Sequence, residues 1–134
     1  MLADDPLGSR REQALDPVPT PYLEAFRAID GDANQRLVVA ILEGRPAGMM
    51  QVTFIPSLTY KGRWRAQLEG VRVRSDLRGG GLGRAMMEEA VALARSRACH
   101  VLQLTTDKKR PGAIAFYEGL GFEASHEGMK LHLR

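Results

Sequence analysis

Cysteine is nearly absent from this chain: Cys99 stands alone in 134 residues, so no internal disulfide can staple the fold. His100, His126 and His132 lie far apart and, with Cys99, show none of the close spacings that hold a metal, which predicts no structural metal site. No apolar run approaches the ~20 residues of a membrane-spanning helix, and the first residues, Met-Leu-Ala-Asp-Asp-Pro, lack the basic start and apolar core of a secretion signal. These absences predict a cytoplasmic protein with no membrane partner. Aromatic residues make up only 6%, and 19 basic residues interleave with 16 acidic ones for a net charge of +3. A surplus that small argues against a nucleic-acid partner.

What is present is the composition of a folded globular protein, 44% hydrophobic and 26% charged, at a length that suits one domain over residues 1–134. Pro6, Pro17, Pro19 and Pro21 make residues 1–21 loop-rich. Tyr22, Phe26 and Ile29 then share one face of a short helix. Residues 37–42 and 48–55 read as a hairpin broken at 43–46, and residues 63–74 as a third antiparallel strand. A helix over 84–98 follows, with Met86, Ala90, Leu93 and Ala94 as its core stripe and Arg84, Glu88, Arg95 and Arg97 facing water. A strand over 100–106, a helix over 112–118 and a final strand over 122–133 complete the order.

Between the third strand and the long helix lies Arg78-Gly79-Gly80-Gly81-Leu82-Gly83-Arg84. A strand, a glycine turn and a helix N-terminus together form an anion cradle, because successive N–H groups and the helix dipole face a ligand that meets no side chains. No Lys-Ser or Lys-Thr follows the glycines, and no βαβ unit opens the chain, so neither a P-loop nor a dinucleotide fold is indicated.

Arg-x-x-Gly-x-Gly at Arg78, Gly81 and Gly83, preceded by Glu69-Gly70-Val71-Arg72-Val73 and followed by Phe116-Tyr117-Glu118-Gly119-Leu120-Gly121-Phe122, resembles the GNAT family of N-acetyltransferases. The resemblance runs from the hairpin at Leu37 to the last strand. It implies an α+β fold with a mixed, mostly antiparallel central sheet and flanking helices. It also implies acetyl-CoA as acyl donor, a primary amine of a small molecule as acceptor, and direct attack through a tetrahedral intermediate. The strand Val71, Arg72 and Val73 is then expected to hold the pantetheine arm, and Arg78 to Arg84 the pyrophosphate. Gly70 marks either a bulge that frees the backbone for that arm or a tolerated glycine.

By the same resemblance Tyr117 is the general acid that protonates the departing thiolate. Phe116 reads as a core aromatic and is counted with the cofactor-binding residues. Arg110, where relatives often carry asparagine, is expected beside the cofactor arm, and Lys108-Lys109-Arg110 is either a phosphate contact or a solvated basic turn. Glu69 is the candidate base. Strict alternation sets it on one face with Gln67, Val71 and Val73, where an apolar surface would raise its pKa, unless a bulge intervenes. The other reading of Glu69 is a solvated glutamate paired with Arg63 or Arg65. Cys99 reads as a small core residue, and Tyr60 and Trp64 either line the acceptor pocket or pack a sheet edge. Family members usually begin with a strand that is expected to be missing here, whether through an internal start or because a partner chain completes the sheet as a homodimer. A CoA-binding module without turnover is the alternative function.

Overall fold

A computed structural model describes residues 1–4 and 6–133. Two 3-10 turns, Leu2–Asp4 and Gly8–Arg10, precede helix α1, Thr20–Asp30. Pro21 sits in the first turn of α1, where its missing N–H costs no intrahelical bond. The Tyr22 hydroxyl, on the helix face predicted from sequence, accepts from the Gln13 N–H at 2.9 Å and donates to Glu12 Oε2 at 2.7 Å. That pair ties the proline-rich segment to α1.

Strands β1, Gln35–Leu42, and β2, Arg45–Ile55, form an antiparallel hairpin. Its two-residue turn is Glu43-Gly44, both at positive φ (50° and 74°), the backbone twist that suits the flanking strands. A short helical turn, α2, Thr59–Gly62, leads to β3, Arg65–Val73, which pairs antiparallel to β2. After a 3-10 turn at Ser75–Leu77 comes α3, Leu82–Ser96, then β4, Val101–Leu104, which runs parallel to β3, and α4, Pro111–Glu118. The sheet order is β1-β2-β3-β4. This is the mixed, mostly antiparallel α+β arrangement expected from the sequence.

The core lies between one sheet face and α3. Met50, Val52 and Phe54 of β2, Ala66 and Leu68 of β3, and Met86, Met87, Ala90 and Ala94 of α3 are buried together. Met87 joins the predicted stripe, and Leu93 stands at its half-buried margin. Arg97 corrects the sequence reading of a water-facing residue. Its guanidinium lies 4.4 Å from the Phe54 ring centroid and donates to the Ala33 carbonyl at 3.0 Å and to Asn34 Oδ1 at 2.7 Å. The end of α3 is thereby fastened to the start of β1.

The strand expected over 122–133 is not there. Phe122 N–H bonds back to the Tyr117 carbonyl at 3.1 Å, Ser125 N–H to the Glu123 carbonyl at 2.9 Å, and Glu127 meets Lys108 at 3.4 Å, all without a ladder. Met129, Leu131 and Leu133 are 94%, 86% and 89% exposed. A strand exists only against a neighbour, and these residues have none among the described residues of the chain.

Candidate active site

Gly81 caps α3 from a left-handed conformation (φ 90°, ψ −5°), and Gly79 is also at positive φ, 80°. A Cβ built at either position would meet nothing within 4 Å, so it is the backbone angle, not crowding, that calls for glycine. The first intrahelical bond is Ala85 N–H to the Gly81 carbonyl at 3.1 Å. The N–H groups of Leu82, Gly83 and Arg84 therefore precede the helical ladder and are left for a ligand, at the positive end of a 15-residue helix. Arg78 and Arg84 are exposed on either side of the glycines.

Gly83 is glycine for a different reason. A Cβ there would lie 3.2 Å from Phe116 Cζ and 3.9 Å from Val73 Cγ2, so the first turn of α3 packs directly on α4 and β3. Ahead of the turn, Arg74 grips Asp76 through Nε at 2.6 Å and Nη2 at 3.1 Å, and reaches the Pro46 carbonyl at 3.2 Å. This pair depresses the Asp76 carboxyl below its ordinary pKa, chiefly through the hydrogen bond from Arg74. Sequence reading gives Asp76 no role, although a basic and an acidic residue two apart at a strand end is a legible signal.

Beside the turn the sheet opens. Pairing of β3 with β4 runs from Arg65 opposite Val101 to Leu68 opposite Leu104 and stops there, so residues 69–73 have no β4 neighbour. Gly70 lies in a bulge: Met49 faces Arg72 and Gln51 faces Glu69, leaving Met50 opposite both Gly70 (φ 60°) and Val71. The extra residue reverses the alternation. Leu68 is buried before it, and Val71 and Val73 pack against the same core after it. Glu69 is thereby parted from Val71 and Val73, which corrects the shared face that strict alternation predicts. It is exposed, opposite Gln51, and among the described residues no ion pair joins it to Arg63 or Arg65. Arg78 Nε donates to the Val73 carbonyl at 3.4 Å, and Arg72 Nη1 to the Val71 carbonyl at 2.8 Å.

Tyr117 stands on α4, half-buried, with the Phe116 ring 5.2 Å and the Phe122 ring 5.6 Å away, both edge-on. Burial pushes its phenol above the ordinary pKa, while the charges of Arg72 and Arg110 pull the other way. Val73, Gly83, Phe116, Tyr117, Arg72 and Arg110 are thus brought together; Glu69 belongs to the same strand but to none of these contacts. Burial also pushes the Cys99 thiol up, as expected for a packing residue. Trp64 is a packing residue too: its carbonyl accepts from the His100 N–H at 2.8 Å, and Arg97 lies 5.8 Å over its ring. Tyr60 is 65% exposed and stacks on His100 at 4.9 Å. A separate groove of about 280 Å³ between α1 and β1, lined by Phe26, Ile29 and Val39, contains none of the site residues.

The model of the Acetyltransferase (GNAT) family matches residues 4–122, taking in the bulged strand, the glycine turn and the α4 tyrosine. The chain belongs to the GNAT family. Glucosamine 6-phosphate N-acetyltransferase of Trypanosoma brucei brucei is 34% identical over 90 residues, which make up 67% of this chain and 59% of that protein. The chain therefore spans 59% of the length of that curated relative. A Bacillus halodurans C-125 crystal structure described as a transcriptional regulator is 53% identical, with a TM-score of 0.96 over 99% of this chain and 89% of that one. Glucosamine-6-phosphate N-acetyltransferase of Arabidopsis thaliana shares the fold, with a TM-score of 0.79 at 20% identity over 96% of this chain and 86% of that one.

GNAT acetyltransferases take their acetyl group from acetyl-CoA. The donor set fits that molecule. Open glycine positions and unladdered N–H groups suit a diphosphate, and the unpaired stretch of β3 suits an amide-bearing arm. Among the described residues no group of His, Cys, Asp and Glu is arranged to hold a metal ion, and no helix is long and apolar enough to cross a membrane.

Proposed function

We propose that residues 1–134 form one acetyltransferase unit that moves an acetyl group from acetyl-CoA to a primary amine of a small molecule. The observation that carries this reading is the convergence, on the helix with Tyr117, of the glycine turn through Gly83 and Phe116 and of the opened strand through Arg72. Backbone groups of Val71 and Val73 hold the extended arm, and the N–H groups of Leu82, Gly83 and Arg84, flanked by Arg78, Gly79, Gly80 and Gly81, hold the diphosphate. Arg110 borders the arm near Tyr117. When bound, acetyl-CoA supplies the thioester-activated acetyl group.

The chain's own part is to handle protons. Tyr117 keeps its proton on Oη through neutral pH, because burial favours the neutral phenol, and gives it to the departing sulfur. The exposed Glu69 carboxylate takes a proton from the incoming ammonium, directly or through water. Glucosamine 6-phosphate acetylation by the trypanosomal relative puts phosphorylated amino sugars first in an acceptor panel, beside aminoalkylphosphonates, polyamines, aminoglycosides and amino acids. We assign no nucleic-acid partner, since basic and acidic residues interleave and net charge is +3. A cytoplasmic setting goes with the same reading.

Acetyl-CoA turnover on that panel, run beside Tyr117→Phe and Glu69→Gln, tests the proposal. Loss of turnover with retained acetyl-CoA affinity is the expected result for both variants. Binding of acetyl-CoA without acetylation of any amine would instead assign the chain to cofactor binding alone.

A further inference from the structure

The donor site dictates where an acceptor can stand. With the pantetheine arm beside residues 71–73 and the diphosphate at the start of α3, the thioester arrives next to Gly70, and pairing of Leu68 with Leu104 closes the sheet just beyond it. The α3 face of the sheet is filled there by the core, so an amine meets the thioester from the opposite face. That face of β3 is polar along its length. Ala66 and Leu68 point into the core, which turns Arg65, Gln67 and Glu69 outward, and Gln67 accepts from Gln103 of β4 at 2.8 Å. Arg63 continues the row, since its backbone is extended (φ −76°, ψ 146°) and the next residue, Trp64, packs on the core side.

The far end of this row is positively charged and built with strain. Tyr60, Lys61 and Gly62 are consecutive left-handed residues (φ 52°, 61° and 73°), a conformation that is costly at tyrosine and lysine. The turn is held by the contact between the Ser57 and Thr59 hydroxyls at 2.6 Å and by the Tyr60 ring on His100. It leaves a hollow of about 180 Å³ lined by Tyr60, Lys61 and Arg63. Among the described residues no carboxylate pairs with Lys61, Arg63 or Arg65, and Arg65 Nε is buried without a hydrogen-bond partner. An unanswered buried donor in a run of unpaired cations calls for an anion.

From this we infer that the acceptor lies along the outer face of β3, with its amine at Glu69 and a phosphate, phosphonate or carboxylate group at Arg65, Arg63 and Lys61. The inference rests on the acetyl transfer proposed above and adds the acceptor class, a small amine with an anionic group at its other end. Glu69 and Arg65 are four residues apart, about 13 Å along the strand. That span sets the scale of the acceptor at one sugar ring or a short chain between amine and anion. Gln67 stands midway, where its amide and that of Gln103 meet the middle of the molecule.

Two matched pairs test this: glucosamine 6-phosphate against glucosamine, and 3-aminopropylphosphonate against propylamine. Calorimetry on the CoA-loaded protein reads binding without acetyl transfer. The anionic member of at least one pair should bind about 10- to 100-fold tighter than its neutral counterpart. Arg65→Gln and the double variant Lys61→Ala/Arg63→Ala should each remove most of that preference. Lys61 and Arg63 are exposed, so the double variant is expected to fold, and Arg65→Lys, which keeps the charge, should retain part of the preference. Arg95→Ala, which removes an exposed cation of α3, should leave it intact. Where the anionic acceptor is turned over, the subsite variants should raise its KM more than they lower kcat. Equal binding within both pairs, a preference that survives both subsite variants, or one lost equally in Arg95→Ala would each overturn the inference, even with acetyl transfer intact. A preference of the expected kind without acetylation of any amine would support the anion subsite and count against acetyl transfer alone.

Discussion

At Tyr117 two influences compete: burial between Phe116 and Phe122 disfavours phenolate, while Arg72 and Arg110 favour it, and burial prevails. The sign matters for activity. An acid whose pKa is raised stays protonated through neutral pH and is lost only as pH rises through the raised value. The pH profile of kcat under chemistry-limited conditions is therefore expected to hold up past the ordinary phenol pKa of 10.0 before its alkaline fall. Gly81→Ala makes a second prediction. At φ 90° an alanine is strained by roughly 1–2 kcal/mol, so thermal midpoint and acetyl-CoA affinity should both drop, read by calorimetry. Gly83→Ala acts through contact instead, pressing on the Phe116 ring. Sequence spacing distinguishes Tyr117 and the glycines by motif. It does not distinguish why each glycine is needed, which depends on neighbours from other elements.

Among the elements, β3 shows where sequence pattern succeeds and where it stops. Leu68 and Ala66 alternate with polar residues and are buried as that pattern implies. Leu68→Ala is expected to cost about 2–5 kcal/mol in urea unfolding, since it empties space between the sheet and α3. Beyond Gly70 the phase reverses, and a glycine alone cannot say whether it bulges. That ambiguity set Glu69 on the wrong face, and only the pairing of Met50 opposite Gly70 and Val71 resolves it. Along α3 and its C-cap, the 3.6-residue period located the stripe and misjudged Arg97, whose guanidinium lies over the Phe54 ring. An arginine facing water and an arginine lying on a ring read alike in a helical pattern.

For the whole molecule, the order of α1, α3, α4 and the first four strands was legible because local pattern and turn chemistry agree: Glu43-Gly44 closes the hairpin, and Pro111 and Gly119 bound α4; the short turn α2, in a stretch that reads as loop, was not. The final strand was not, because alternation at Met129, Leu131 and Leu133 records a preference while a ladder needs a partner. Ligand binding provides a prediction at this scale. Acetyl-CoA and CoA, but not acetate, should raise the unfolding midpoint, with about 2.7 kcal/mol of stabilisation at a hundredfold excess over Kd. The most direct measurement of the central claim is the single-turnover rate of acetyl transfer to an accepted amine, wild type against Tyr117→Phe, at saturating acetyl-CoA. A fall of about 10²- to 10⁴-fold with unchanged acetyl-CoA affinity is predicted. Equal rates for the two proteins would contradict it.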